Sequence, residues 1–395
     1  MSTVIANGNE HYGDGDSDGR HAGSRAVAQV DSLPSTLQSL TLSPNGPTQE
    51  SFTSSCQVMD LFTTAREQGR PLHVSAPMVR YSKLPFRLLL HSYNVDIIYT
   101  PMILAHEFIR SPIARDSDFA TSPLERQSTR ISHGSQQQHA LIAQFASSDP
   151  TEFARAAELI APWVDGVDLN CGCPQSWALK EGIGCSLMSS PTLVANMIRA
   201  ARARLGPSKS VSVKIRIHAD LSKTVAWLDE VAKAEPTFIT IHGRTRSQRS
   251  STPPDYGAIR TLRERIPVSI PVVVNGDAYT LSDVTTIAAK TGADGVMAAR
   301  GILENPAMFS HSGVGGTPVE CVQRFLGWAV RCPIPFPLVL HHVSEMTGRM
   351  KGFGKLERRR LGACRDLIEL VDFVDAKWGV QRYCFEADAD GVDGG

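Results

Sequence analysis

Polar side chains stand at the ends of short apolar runs throughout the middle of this 395-residue sequence. An amide can pair with the edge of a heterocycle, a lysine can stabilise developing negative charge, and arginine beside glycine can hold a phosphate. A thiol ordinarily titrates near pH ~8.5, so a cysteine can donate a proton at neutral pH. The residues of these types are Gln144, Asn170, Cys171, Cys173, Lys214, Arg216, His242, Asn275, Gly276, Asp277, Arg300 and Gly301. They can form one site only if the fold brings them together.

Eight short apolar runs alternate with helical patterns between residues 72 and 300. Nearly continuous apolar runs are typical of strands buried on both faces, as in parallel sheets. Asp149-Pro150, with Glu152 after them, predict a helix start, because Asp caps the helix and Pro suits its first position. The predicted strands cover residues 72–76, 96–102, 140–146, 164–170, 211–217, 237–242, 271–275 and 294–299.

This alternation predicts a closed (β/α)8 barrel, in which a helix follows each of eight parallel strands. A doubly wound open sheet is the alternative, but it usually has fewer strands and a glycine-rich first turn. Neither a GxGxxG nor a GxxxxGK[ST] motif occurs in the sequence. Active sites of such barrels lie at the carboxyl ends of the strands. We therefore expect the polar residues above to share one rim.

The loops after the seventh and eighth strands of such barrels commonly bind a phosphate. Here Asn275-Gly276-Asp277 follows the seventh run, and Arg300 and Gly301 follow the eighth. Two ordinary turns are the alternative interpretation. A phosphate-binding site together with Lys214 and Gln144 suits FMN, because the lysine can stabilise the reduced flavin ring and the amide can pair with the pyrimidine edge of that ring.

Several short motifs occur in a characteristic order between about residues 72 and 310. They are Ala76-Pro77-Met78, Gln144, Asn170-Cys171-Gly172-Cys173-Pro174, Lys214-Ile215-Arg216, the run 241–246, Asn275-Gly276-Asp277 and the run 294–301. As a set they resemble the tRNA-dihydrouridine synthase family, FMN-dependent barrels that reduce uracil rings in tRNA. The runs 99–104 and 174–178, with His341-His342, resemble the eukaryotic subfamily that acts at D-loop positions 20a and 20b.

The resemblance implies roles for the matched residues. Cys173 would be the general acid that protonates uracil C5, and Cys171 would pack as a small apolar residue. Asn170 would orient the uracil, and Arg244 would contact the RNA. The flavin would contact Pro77, Met78, Val79, Gln144, Lys214, His242, Asn275, Gly276, Asp277, Ala299 and Arg300. The flavin would be re-reduced by NAD(P)H, with NADPH expected rather than NADH.

The charges are unevenly distributed although 40 basic and 40 acidic residues give a net charge of zero. Residues 1–60 hold two basic and seven acidic side chains, and residues 385–395 hold four acidic side chains and no basic one. Residues 61–384 therefore hold 38 basic and 29 acidic side chains, a net charge of +9. A basic body is what a nucleic-acid partner requires. The segment 349–365 and the loop with Arg244, Arg246 and Arg249 are the candidate RNA contacts.

These patterns predict four regions. Residues 1–60 are predicted to be a disordered acidic extension, because they contain too few apolar residues to offset the entropy of ordering. Residues 61–315 form the barrel, residues 316–384 a small helical tRNA-binding region, and residues 385–395 a disordered acidic tail.

Several classes of protein are disfavoured. No apolar run reaches the ~18 residues of a membrane span, and no secretory signal pattern is present. The eight cysteines include no CxxC pair, so reduced thiols are expected and a metal site is not. We expect a monomer in the cytoplasm, with the nucleus as the alternative location.

Three functions remain open. The first is a tRNA-dihydrouridine synthase. The second is an FMN-dependent reductase of a free small molecule, which leaves the basic helical region unexplained. The third is a non-catalytic tRNA-binding protein, which leaves Cys173 and the flavin-binding set unexplained.

Overall fold

The computed structural model describes residues 56–122, 125 and 139–381. All eight predicted strands are present and form a closed barrel, in which each strand pairs in parallel with the next and the last pairs with the first. The strands are β1 Leu72–Ser75, β2 Ile97–Leu104, β3 Ala140–Ala146, β4 Gly166–Cys171, β5 Ser210–Arg216, β6 Ile239–His242, β7 Val272–Asn275 and β8 Gly295–Ala298. The predicted (β/α)8 architecture is confirmed.

Helices surround the barrel and continue beyond it. Their bounds are α1 Gln57–Glu67, α2 Leu84–Leu90, α3 Ala105–Arg110, α4 Pro112–Asp118, α5 Pro150–Ile160, α6 Ser176–Lys180, α7 Pro191–Leu205, α8 Leu221–Ala232, α9 Tyr256–Arg263, α10 Leu281–Thr291, α11 Arg300–Glu304, α12 Val319–Arg331, α13 Phe336–Thr347, α14 Lys355–Leu361 and α15 Leu367–Trp378. The predicted cap is present, because the Asp149 carboxylate accepts the backbone N–H of Glu152 at 2.7 Å. No helix in the described part of the chain has the length and apolar character needed to cross a membrane.

Helix α1 corrects the boundary of the predicted N-terminal extension. Residues 57–60 fall within the segment predicted to be disordered, yet they form the first turn of this helix. Its buried residues are Val58, Leu61, Phe62 and Ala65, whose spacing gives one apolar face. Phe62 packs on Phe238, just before β6, with ring centroids 5.6 Å apart. Residues 1–55 and the predicted tail 385–395 lie outside the described residues.

Helices α12 to α15 occupy the predicted helical region, and α12 and α13 pack on α2, the helix that follows β1. His342 on α13 is fully buried, and its Nε2 lies 3.1 Å from the carbonyl oxygen of Tyr81. Its ring centroid lies 4.7 Å from those of both Phe86 on α2 and Phe325 on α12. The helical region is therefore packed on the loop that follows β1.

A buried ion pair fixes that same loop. Arg87 on α2 donates from Nε and Nη2 to the two carboxylate oxygens of Glu125, at 2.6 and 3.0 Å. Arg87 Nη1 donates to the carbonyl oxygen of Ser82 at 2.9 Å. The Ser82 hydroxyl accepts the backbone N–H of Met78 and donates to the carbonyl oxygen of Ala76, both at 3.1 Å. The ion pair thus stabilises the conformation of residues 76–82.

We predict that Arg87→Met lowers the free energy of unfolding by about 3–5 kcal/mol, because the buried Glu125 carboxylate loses its partner. Arg260→Met is the matched control, since the pair of Arg260 with Glu264 is more than half exposed on both sides and contributes less than about 1 kcal/mol. Urea unfolding of both variants measures the difference. Equal effects would contradict the assignment of Arg87 to a buried structural pair.

Candidate active site

The strand register brings the predicted polar residues to one rim of the barrel. Asn170 on β4 pairs with Lys214 on β5, and Arg216, two residues further on, pairs with His242 on β6. His242 in turn pairs with Asn275 at the end of β7. Because all the strands are parallel, these positions lie at the carboxyl end of the barrel.

Cys173 lies in a loop after β4 that is held from two sides. The Asn170 side-chain oxygen accepts the backbone N–H groups of Gly172 at 3.1 Å and Cys173 at 2.9 Å. On the other side, the backbone N–H of Cys185 donates to the Cys173 carbonyl oxygen at 2.9 Å. Gly184 allows this close approach, because a Cβ there would lie 2.9 Å from the Cys173 Cβ.

The two cysteines of the segment have different environments. Cys171 is fully buried in β4, and burial raises the pKa of its thiol well above the usual value. Cys173 is partly exposed at the rim. Only the second thiol is therefore accessible to a substrate that enters the mouth of the barrel.

Lys214 places a desolvated ammonium group at the centre of the rim. Burial and, to a smaller extent, the positive charge of Arg216 lower the pKa of Lys214 to about 8, against the opposing negative charge of Asp168. The Arg216 guanidinium is committed to the loops, because it donates to the carbonyl oxygen of Gly172 at 3.1 Å and that of Thr245 at 2.9 Å. Lys214 is thus a cation suited to an anionic or electron-rich ligand.

His242 is a neutral donor in this arrangement. Burial, with the positive charges of Lys214, Arg216, Arg244 and Arg300, lowers the pKa of His242 to about 2. Arg244 Nη1 lies 3.1 Å from His242 Nε2. Since a guanidinium can only donate, Nε2 must accept and the proton must lie on Nδ1.

Arg244 is placed differently from the prediction. It is 3% exposed, and its guanidinium donates to the Asp277 carboxylate at 2.5 Å and to the Thr252 carbonyl oxygen at 2.5 Å. These bonds, with the contact to His242, occupy its donors in the wall of the site. Arg244 therefore does not lie on the exposed surface, where the predicted contact with backbone phosphates would place it.

Side-chain contacts join the loops after β7 and β8, which we call the phosphate end because the sequence predicts a phosphate there. The Asp277 carboxylate lies between the guanidinium groups of Arg244 and Arg300. The Asn275 side chain donates to the Met297 carbonyl oxygen at 3.0 Å and so joins β7 to β8. A Cβ at residue 301 would lie 2.1 Å from the Ala278 carbonyl oxygen, so only glycine permits this contact between the loops. The side chain of Arg300 remains 45% exposed and accessible to an anion.

The other predicted residues follow β1 and β8, which are neighbours in the barrel. Ser75 at the end of β1 pairs with Ala298 at the end of β8, so the residues after both strands share one part of the rim. Met78 is 9% exposed and Val79 is 53% exposed, which leaves an apolar surface at the mouth. Pro77 is half-buried beside them, and Ala299 caps α11.

Sequence reasoning missed two contributors to the site. Asp168 is fully buried in β4 and accepts hydrogen bonds from Gln144 at 2.9 Å and Ser212 at 2.6 Å. It lies two residues before Asn170 and therefore on the same face of the strand, which was an available signal. The Tyr256 hydroxyl accepts the backbone N–H of Asp277 at 3.3 Å and supports the phosphate end, which no local pattern indicates. Among the described residues, no group of three His, Cys, Asp or Glu side chains could hold a metal ion.

Comparison with known proteins defines the class of this barrel. The family model for dihydrouridine synthase (Dus) matches residues 74–361. This chain belongs to the dihydrouridine synthase family.

Its relatives include proteins named tRNA-dihydrouridine(20a/20b) synthase, with NAD(P)+ in the name. The Schizosaccharomyces pombe protein is 44% identical over 314 residues, covering 79% of this chain and 90% of the relative. The Saccharomyces cerevisiae protein is 38% identical over 323 residues, covering 81% and 84% respectively. A human protein, whose name is that of the same synthase with the suffix '-like', is 39% identical over 313 residues, covering 79% of this chain and 92% of its own length.

We predict that the His242 imidazole stays neutral, as the Nδ1–H tautomer, from pH 8 down to pH 4. Because its pKa is lowered by burial and by four cations, protonation should begin only below this range. Nitrogen NMR of histidine-labelled protein measures both tautomer and titration. Arg244→Met should mix the tautomers and raise the pKa of His242, whereas Arg246→Met, which alters an exposed residue of the same loop, should change neither. An imidazolium signal at pH 6 in the unmodified protein would contradict this account.

Proposed function

We propose that this chain is an FMN-dependent tRNA-dihydrouridine synthase that reduces the C5=C6 bond of uridine at positions 20a and 20b with NAD(P)H. The observation that carries the proposal is the placement of an accessible Cys173 at the same rim as Lys214, His242 and Arg300. The names of the relatives support the same substrate.

The residues at the rim fit FMN in charge and hydrogen-bonding character. Arg300 is partly exposed beside the β7 and β8 loops and can pair with a phosphate. His242 presents an N–H donor, and Lys214 presents a desolvated cation for the pyrimidine edge of the ring. Gln144 keeps one N–H free for the same edge after its bond to Asp168. Bound FMN would supply the hydride that reaches C6 of uracil.

This chain would supply the proton. Cys173 donates from Sγ to C5 of uracil, and the hydrogen bonds from Gly172 and Cys173 to Asn170 hold the loop in place during transfer. Asn170 lies 8% exposed beside the thiol, where its amide can contact the uracil edge. Pro77, Met78 and Val79 provide an apolar wall that excludes water from the reacting ring.

The uridine must leave the stacked tRNA and enter the barrel mouth, which costs a few kcal/mol. Contacts to backbone phosphates offset this cost. Exposed arginines suited to this role are Arg246 and Arg249 in the loop after β6, with Arg359 and Arg360 on α14. Arg358 is partly committed within the protein, because it donates to the Gly348 carbonyl oxygen at 3.0 Å.

Three further properties of the proposed enzyme follow from the resemblance alone. We expect NADPH to be preferred over NADH, a monomer in solution, and a location in the cytoplasm, with the nucleus as the alternative.

We predict that Cys173→Ala retains bound flavin but lowers dihydrouridine formation by about 10²–10⁴-fold, because the general acid is lost. Cys171→Ala is the matched control, since this buried thiol does not reach the substrate and activity should persist. Each variant is returned to cells that lack the gene, and dihydrouridine at positions 20a and 20b is mapped. Full activity of Cys173→Ala would remove Cys173 from the acid role.

Assays of the purified protein separate the other two functions. A protein that reduces free uracil and is indifferent to added tRNA would be a small-molecule reductase. A purified protein that binds tRNA but holds no flavin would be a non-catalytic binding protein. Either result would overturn the proposed function.

We predict that Arg359→Ala with Arg360→Ala weakens tRNA binding and lowers the slope of log K against log salt by about 1–2, because up to two phosphate contacts are lost. Arg265→Ala with Lys290→Ala removes the same charge from exposed positions at the opposite end of the barrel. Binding is measured by fluorescence anisotropy over a range of salt concentrations. Equal losses in both double variants would show a general effect of net charge instead of a defined surface.

A further inference from the structure

Three neighbouring strands place a carboxylate, an amide and a hydroxyl side by side inside the barrel. In the sheet register, Gln144 on β3 pairs with Asp168 on β4, and Asp168 pairs with Ser212 on β5. Asp168 Oδ2 accepts from Gln144 Nε2 at 2.9 Å, and Asp168 Oδ1 accepts from Ser212 Oγ at 2.6 Å. All three side chains are buried. The strand register therefore brings the side chains of Gln144, Asp168 and Ser212 into contact.

An ionised carboxylate only accepts hydrogen bonds, so it determines the orientation of the neighbouring amide. Gln144 must present its NH2 group to Asp168, which leaves Oε1 facing Asn170. Asn170 Nδ2 donates to that oxygen at 2.8 Å. The Asn170 oxygen is then free to accept the backbone N–H groups of Gly172 and Cys173. Each hydrogen bond in this chain is therefore donated toward Asp168, from the Cys173 loop to Asn170, then to Gln144 and finally to the buried carboxylate.

We propose that Asp168 is a positioning residue for Cys173, which acts by fixing the orientation of the Gln144 and Asn170 amides. This role rests on the proposed function of Cys173 as the acid. It differs from a packing role, because it depends on an acceptor at position 168 and not on the volume of the side chain.

Two substitutions of similar size separate the acceptor from the charge. Asp168→Asn and Asp168→Leu both remove the negative charge near Lys214, but only asparagine keeps an oxygen that can accept from Gln144. Its NH2 group can donate to the Ser212 hydroxyl, which is able to accept. Ser210→Ala changes a buried residue at the start of β5, outside this chain of hydrogen bonds, and controls for general disturbance of the interior.

The experiment measures single-turnover conversion of tRNA by prereduced holoenzyme at pH 7.5. We expect Asp168→Leu to be about 10- to 100-fold slower, as misplacement of a reacting group predicts. Asp168→Asn and Ser210→Ala should stay close to the unmodified rate.

Alkylation of Cys173 by iodoacetamide, followed by mass spectrometry of its peptide, gives a readout that does not need tRNA. We expect a several-fold faster reaction in Asp168→Leu and an unchanged reaction in Asp168→Asn. The proposal is overturned if Asp168→Asn is as impaired as Asp168→Leu, or if Asp168→Leu matches the unmodified enzyme in both measurements. If Asp168→Leu does not fold, a loss of activity in Asp168→Asn overturns it, because asparagine keeps the acceptor. Failure of the unmodified protein to act on tRNA would instead reject the proposed function, and the alkylation comparison would still test the role of Asp168.

Discussion

The hydrogen-bond register of the closed parallel barrel is the constraint on which the site depends. Residues far apart in sequence become neighbours because each strand pairs with the next at a fixed level, as Asn170 does with Lys214 and His242 with Asn275. A slip of one residue on β4 would turn Asp168 and Asn170 away from the interior, because alternate side chains point to opposite faces. The nearly continuous apolar strands alone do not prevent such a slip. The buried polar contacts between β3, β4 and β5 add a reason for one register to be preferred.

Positive charge dominates the rim, and each nearby carboxylate has a structural partner. Asp277 lies between Arg244 and Arg300, whereas Asp168 is buried below Lys214 and accepts from Gln144 and Ser212. Burial, together with the surplus of cations, lowers the pKa of His242 and keeps it neutral, so that it can donate without adding charge. Such a surface suits an anionic cofactor and a polyanionic substrate at the same opening.

Much of this architecture was predictable, because the apolar runs were long and regularly separated by helix signals. The rim residues were also predictable, since they stand at strand ends. The start of α1 was not, because its short apolar face adjoins a polar segment of different composition. The burial of Arg244 could not be predicted either, because its partner Asp277 lies 33 residues away and meets it only across the β6 and β7 loops. The position of Asp168 on the same face of β4 as Asn170 was predictable, but its hydrogen bonds with Gln144 and Ser212 follow only from the pairing of three strands.

The central claim is that this rim reduces uridine within tRNA. The most direct measurement incubates the purified protein, FMN and NADPH with tRNA taken from cells that lack the gene, and with free uridine in parallel. Mass spectrometry of the digested tRNA locates the gain of two hydrogens. The account predicts dihydrouridine at positions 20a and 20b and no reduction of the free nucleoside. Reduction of free uridine with unmodified tRNA would contradict it.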